Sequence, residues 1–189
     1  MRTDAARRRA AVLREARRAF ATTGADVALE AIAEAAGVGI ATLYRNFESR
    51  AVLVEEVALA ILDDLRAVTA DAAADLATDP ERVWREYVGR LVDLDLGALT
   101  AALAQELPEG LAGPVREAQD AALTAVDAFL VDVRAAGLLH ADLGALELVV
   151  VVGIVTRPQP EVVRQAAPHL VERLVSIVLA GLRADAAPR

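Results

Sequence analysis

Residues 28–47 read ALEAIAEAAGVGIATLYRNF, and no other stretch constrains the fold as tightly. Ala33 and Ala36 are small enough to let two helix backbones cross closely, and Gly37 can take the positive φ that a sharp turn between them needs. Leu29, Ile32, Ala33 and Ala36 share one helical face before the turn; Val38, Leu43 and Phe47 are the apolar residues after it. Two short helices, over 29–36 and about 40–46, joined by one tight turn are helix-turn-helix geometry. The second of them points Thr42, Arg45 and Asn46 outward, with Tyr44 at the border of core and surface. Such side chains reach phosphates from a rod of major-groove width.

A total net charge of −8 argues at first against a nucleic-acid partner. Its distribution argues the other way: residues 1–50 hold nine arginines and six carboxylates, a net of +3, and the rest of the chain carries −11. Local sign decides, because charges beyond a Debye length of about 10 Å are screened. Arg7, Arg8 and Arg9, on an N-terminal arm beside a helix-turn-helix, are candidates for phosphate or minor-groove contacts.

With 189 residues and a hydrophobic fraction of 56%, rich in Ala, Leu and Val, the chain is long enough for a sizeable helical core. It has no Cys and two His, His140 and His169, which excludes disulfides and thiolate sites and leaves too few ligands for a His-based zinc site; no cofactor is implied. The Arg-rich start leads into an amphipathic pattern and not an apolar signal core, so the expected location is the cytoplasm. The longest apolar run, 148–155, is far short of the ~20 residues that span a bilayer, so no membrane partner is expected.

Helical periodicity dominates the remainder. Thr3 and Asp4 are N-cap candidates for a first helix to about Thr22, stopped by Gly24, with Val12, Leu13, Ala16, Ala19 and Phe20 inside. Asp26 is the capping candidate for the second helix, and Ser49 for a long fourth helix carrying Leu53, Val57, Ile61, Leu62 and Leu65. Asp79-Pro80 opens a helix with Val83, Trp84, Tyr87, Val88 and Leu91. Pro108, Gly110, Gly113 and Pro114 bracket a turn before a helix over 115–136 that ends at Gly137. Asp142 is positioned to cap a helix to about Thr156, closed by Pro158 and Pro160. The last helix is expected over 161–182. Four consecutive valines, 149–152, suit a buried strand, but no second strand exists to pair with, so the helical reading is preferred. In the last helix Leu170, Leu174, Val178 and Leu182 sit four apart beside a row of Val171, Val175 and Leu179. Such a broad apolar face at a chain's end favours an intersubunit bundle.

The stretch AIAEAAGVGIATLYRNFESRAVLVEEV resembles the DNA-binding region of TetR-family bacterial transcriptional regulators, the similarity covering about residues 8–57. The Ala33-to-Gly37 spacing, the run from Thr42 to Phe47 and the following Ser49-Arg50 carry it together. The resemblance implies an all-α fold of about nine helices: a three-helix DNA-binding head at 1–48, then an effector-binding and dimerisation body at 49–189. It further implies a homodimer joined by its last two helices, with Val149, Val152, Leu170, Leu174, Val178 and Leu182 as interface candidates. The partners implied are a palindromic double-stranded operator and a small-molecule effector that releases it. Thr42, Tyr44 and Asn46 are then backbone-positioning contacts, Arg45 reaches phosphate or a base edge, Arg50 meets phosphate, and Ala41 lets the helix approach the bases. Two departures stand out. Gly39-Ile40 replaces the common Ser-Lys, so Ile40 is left to touch a thymine methyl; Val27 and Ala28 replace hydroxyl residues, leaving a phosphate there only backbone N–H groups. Trp84, Tyr87 and Phe129, the aromatics of the body, are the candidates for the effector pocket, although core packing is the favoured role for each.

Two other classes compete. Asp63-Asp64 and Asp93/Asp95 are carboxylate pairs of the kind enzymes use, but no phosphate loop or His partner accompanies them, so no enzyme is expected. A helical dimer that binds a small molecule or a protein and has lost its operator is the second, kept open by the missing cation at Ile40.

Overall fold

The computed structural model describes residues 2–24, 26–106, 110–111, 113–139, 142–157 and 159–183, with no side chains described at 2, 3, 98 and 99. Pro108, His140 and Pro158 lie outside the described residues. Ten helices and no strand occur among those described: α1 (Arg2–Thr23), α2 (Leu29–Ala35), α3 (Ile40–Asn46), α4 (Arg50–Asp75), α5 (Pro80–Val92), α6 (Leu96–Glu106), α7 (Gly113–Ala135), α8 (Ala145–Val155), α9 (Glu161–Ala166) and α10 (Leu170–Arg183). None is long and apolar enough to cross a membrane.

Local chemistry accounts for most of the boundaries. Gly24, at φ 97°, ends α1, and its N–H donates to the Phe20 carbonyl at 2.9 Å. Ser49 caps α4 by accepting from the Val52 N–H at 3.2 Å, and Asp79 caps α5 by accepting from Arg82 N–H at 3.1 Å with Pro80 in the first turn. Gly137, at φ 75°, closes α7, with N–H bonds from Gly137 to Arg134 and from Leu138 to Val133.

Four boundaries differ from the expectation. Helix α1 already includes Arg2, so Asp4 lies inside its first turn and bonds Arg7 and Arg8 instead of capping. Asp26 leaves α2 uncapped and accepts from Gln105 Nε2 at 2.9 Å. Helix α8 starts three residues beyond Asp142: Asp127 of α7 accepts from Ala145 N–H at 2.7 Å and Glu147 from Gly144 N–H at 3.0 Å. The last helix is two, because Ala167 and Pro168 break the α-helical path between α9 and α10. The valines 149–152 are helical, as preferred, in α8.

Helix α4 is the axis of the molecule. It leaves the head at Arg50 and buries Leu53, Val57, Ile61, Leu65 and Val68 against α5, α6 and α7. The core is continuous, running from Val12, Ala16 and Phe20 of α1 through Leu43 and Phe47 to Leu130 and Leu148 in the body. Each buried Val, Leu or Phe among them contributes roughly 1.5–3 kcal/mol. Helix α6 lies between α1, α4 and α8, and it meets α8 backbone to backbone: a Cβ on Gly97 would fall 2.1 Å from the Gly153 carbonyl oxygen.

Candidate nucleic-acid interface

The turn between α2 and α3 follows from Gly37. At φ 67° its N–H donates to Glu34 and the next N–H, of Val38, to Ala33, so the two exposed carbonyls at the end of α2 are satisfied while the chain reverses. Helix α3 then docks through Leu43 and Phe47, both fully buried. That docking fixes its outer face. Ala41, Tyr44 and Arg45 are exposed, Tyr44 to 49%, while Thr42 and Asn46 are half-buried at the edges. Arg45 Nη2 donates to Thr42 Oγ1 at 2.8 Å, and Asn46 Nδ2 donates to the Thr42 carbonyl at 2.7 Å. The Thr42 hydroxyl keeps its own proton to donate. Ile40 is half-buried and packs against the core, so little of it is left for a thymine methyl.

Arginines expected at DNA divide into two sets. Arg7 and Arg8 project from the second turn of α1, each 2.6 Å from a carboxylate oxygen of Asp4, and Arg7 is 81% exposed. They stand on a helix, not on an extended arm. Arg9 is placed otherwise than expected: its guanidinium takes both oxygens of Glu56 on α4, at 2.8 and 3.2 Å, and lies 4.7 Å from the centre of the Phe47 ring. Arg50 is also turned inward, with Nε 2.7 Å from Glu106 and Nη1 2.6 Å from the Val27 carbonyl. Its side chain is 21% exposed, which does not match a phosphate contact. Arg17, on the same helix as Arg9, pairs with Asp64. Arg9, Arg17 and Arg50 thus bind carboxylates of α4 and α6 across chain separations of 47 and 56 residues. No local pattern marks them, since carboxylates at those distances have no periodic relation to the arginines.

Trp84, Tyr87 and Phe129 are brought together, as a packed cluster. Tyr87 and Phe129 meet edge to face at 4.7 Å, Trp84 stacks near Tyr87 at 5.9 Å, and each is about 1% exposed. The Tyr87 hydroxyl is 3.2 Å from Thr69 Oγ1, which donates to the Leu65 carbonyl at 2.7 Å. Trp84 Nε1 is buried without a partner among the described residues. Its ring borders a cleft of about 470 Å³ between α5 and α10, also lined by Arg85, Glu172, Ser176 and Arg183.

Interface candidates on the last helices are split by the packing. Val152 is buried inside the protomer, and Val178 and Leu182 close an apolar seam with it, Val88 and Leu148; Val149, Leu170 and Leu174 are half-buried. The outward row on α8 is instead Leu146, Val150 and Ile154, spaced i, i+4, i+8; Ile177 on α10 is exposed as well. This row was readable in principle, but it is hidden in a helix that is apolar on every side.

A three-helix head with a Gly-turned helix-turn-helix, presenting an exposed polar helix and mounted on a helical body, defines a DNA-binding regulator. Residues 12–57 match the family model described as bacterial regulatory proteins of the tetR family, and residues 79–184 match the SbtR-like transcriptional regulator C-terminal domain. A TetR transcriptional regulator from Streptomyces coelicolor is 30% identical, with 93% of this chain and 98% of that one covered and a TM-score of 0.62. A TetR regulatory protein from Mycobacterium vanbaalenii is also 30% identical, covering 97% and 99%, with a TM-score of 0.56. A search of curated proteins found no match. The chain belongs to the TetR family of bacterial transcriptional regulators, a non-enzymatic family.

Proposed function

We propose that this regulator is a ligand-responsive repressor that binds a palindromic operator as a homodimer and leaves it when a small-molecule effector occupies the body. In this reading residues 1–48 read DNA in the cytoplasm and residues 49–189 hold the effector and the partner subunit. The observation that carries it is α3: Leu43 and Phe47 anchor the helix, and Ala41, Tyr44 and Arg45 are exposed on its outer side. Thr42 and Asn46 flank that face as backbone-positioning donors, and Arg7 and Arg8 extend it along α1. Palindromy follows from two-fold symmetry of the protein, which places two recognition helices about one duplex turn apart or a multiple of it.

Apolar side chains on α8 and α10 support the dimer, since an exposed row of Leu146, Val150 and Ile154 is costly to leave in water. The effector site best supported is the cleft beside Trp84, where a buried indole N–H has no acceptor among the described residues and Arg85 and Arg183 line the cleft. An effector bound there lowers operator affinity by linkage if it prefers a different spacing of the heads.

Selection of duplexes from a random pool, followed by mobility-shift titration, tests the reading. Arg45→Ala should weaken operator binding roughly tenfold or more, as loss of a phosphate or base contact does, without lowering the melting temperature. Its described partner, Thr42, is on the same helix, so nothing in the fold depends on it. Unchanged affinity at moderate salt would remove Arg45 from the site. The rival reading, a helical dimer without an operator, is favoured by one observation: Arg9, Arg17 and Arg50 are spent on internal carboxylates. It predicts that the wild-type chain enriches no duplex.

A further inference from the structure

Arg50 is the first residue of α4, and among the described residues its guanidinium touches α1, the segment before α2 and the end of α6. Nε donates to Glu106 at the end of α6, Nη1 donates to the carbonyl of Val27 just before α2, and the guanidinium carbon sits 5.6 Å from the ring centre of Phe20 in α1. Both partners in the ion pair are mostly shielded, at 21% and 19% exposure. A second bond crosses the same gap, from Gln105 Nε2 to Asp26. The last two residues of α6 therefore hold the segment that leads into α2 from two sides. An arginine suits this place where a lysine does not, because its planar fork reaches a carboxylate and a carbonyl at once while a face rests on an aromatic ring.

We propose that Arg50 is a positioning residue for operator binding, and that the end of α6 is the body's grip on the helix-turn-helix. The Glu106–Arg50–Val27 link fixes the angle of α2 and α3 against α4, and so the spacing of two recognition helices in a dimer. This rests on the operator-binding reading above. It departs from what the resemblance implies, which gives Arg50 to a phosphate.

The two roles predict opposite signs at Glu106. Were Arg50 a phosphate contact, Glu106 would be a competing anion, and Glu106→Gln would free the guanidinium and tighten binding. As a positioning link, Glu106→Gln loosens α2 and weakens binding even though a negative charge has been removed. The experiment titrates the full chain, as wild type, Glu106→Gln, Arg50→Lys and Gln105→Ala, against a duplex selected by the wild type, at several salt concentrations and well below each variant's melting temperature. Glu106→Gln and Arg50→Lys should each weaken binding by about tenfold and Gln105→Ala by a few-fold. The slope of log affinity against log salt should stay at the wild-type value, because no phosphate contact is lost. Melting curves separate this from a purely structural role, which would lower the melting temperature and leave affinity of the folded protein unchanged. Unchanged or tighter binding by Glu106→Gln would overturn the proposal, as would a shallower slope in Arg50→Lys. If the wild type selects no duplex, the regulatory reading falls first and this inference with it.

Discussion

Tyr87 shows how one buried hydroxyl ties stability to pH. Thr69 gives its proton to the Leu65 carbonyl, so the Tyr87 O–H is left to donate to the Thr69 oxygen. Burial raises the phenol from its ordinary 10.0 to about 12. The folded value exceeds the unfolded one, so this stabilisation is complete below pH 10 and is lost as pH rises through 10 to 12, where the unfolded chain ionises first. A shift from 10.0 to about 12 corresponds to roughly 3 kcal/mol. The chain has neither Lys nor Cys, so few other groups titrate in that window. Denaturant midpoints should fall between pH 10 and 12, and Tyr87→Phe should flatten the fall while costing about 1 kcal/mol at neutral pH. An equally steep fall in the variant would place its cause elsewhere. At this scale local pattern was a sound guide to burial: Leu43, Phe47 and the Trp84 cluster lie where helical periodicity puts them. It was a poor guide to charge. Arg9, Arg17 and Arg50 find partners 47 to 56 residues away, and whether an arginine faces solvent or a distant carboxylate is decided by tertiary packing.

Among the elements, α6 was the one left unread, and its chemistry explains why. Its sequence, LGALTAALAQE, carries no charge before Glu106, and it is preceded by Asp95 in the left-handed conformation at φ 56°. Packed against α1, α4 and α8 and built mostly of Ala and Leu, it has too few polar residues to set a period. The Gly37 turn, in contrast, was fully legible, because it depends only on neighbours within four residues. The Gly97 contact gives α6 a distinctive response to mutation. Within a helix, Gly→Ala ordinarily stabilises by about 0.5–1 kcal/mol. At Gly89 in α5 nothing lies within 4 Å of the added Cβ, and that gain is expected. At Gly97 the same methyl would meet the Gly153 carbonyl oxygen at 2.1 Å, a backbone atom that moves only if α6 and α8 separate. Gly97→Ala should therefore destabilise by about 1–3 kcal/mol or more. Urea unfolding of the two variants checks the contrast, and a stabilised Gly97→Ala would mean that the helices cross at a greater distance.

Taken whole, the molecule has an acidic body, net −11 from residue 51 onward, beneath a head whose spare cations are few. With Arg9, Arg17 and Arg50 committed to carboxylates, the proposed reading expects one protomer to grip phosphates weakly and tight binding to need two half-sites engaged together. The proposed dimer then matters energetically and not only for symmetry. Its face is best probed at Ile154, the outermost of the α8 row at 62% exposure. Arginine is the informative replacement: it places a charge in an apolar symmetric contact, yet it cannot repel DNA as an added carboxylate would. Ile154 is largely solvent-exposed in the single protomer, so the protomer should still fold. Ile154→Arg is expected to halve the mass measured by light scattering and to lower operator affinity by about a hundredfold or more, the avidity lost when linked sites become independent. A variant that keeps the wild-type mass would move the dimer face away from Leu146, Val150 and Ile154. A monomer that binds the selected duplex as tightly as wild type would instead show that one recognition helix suffices.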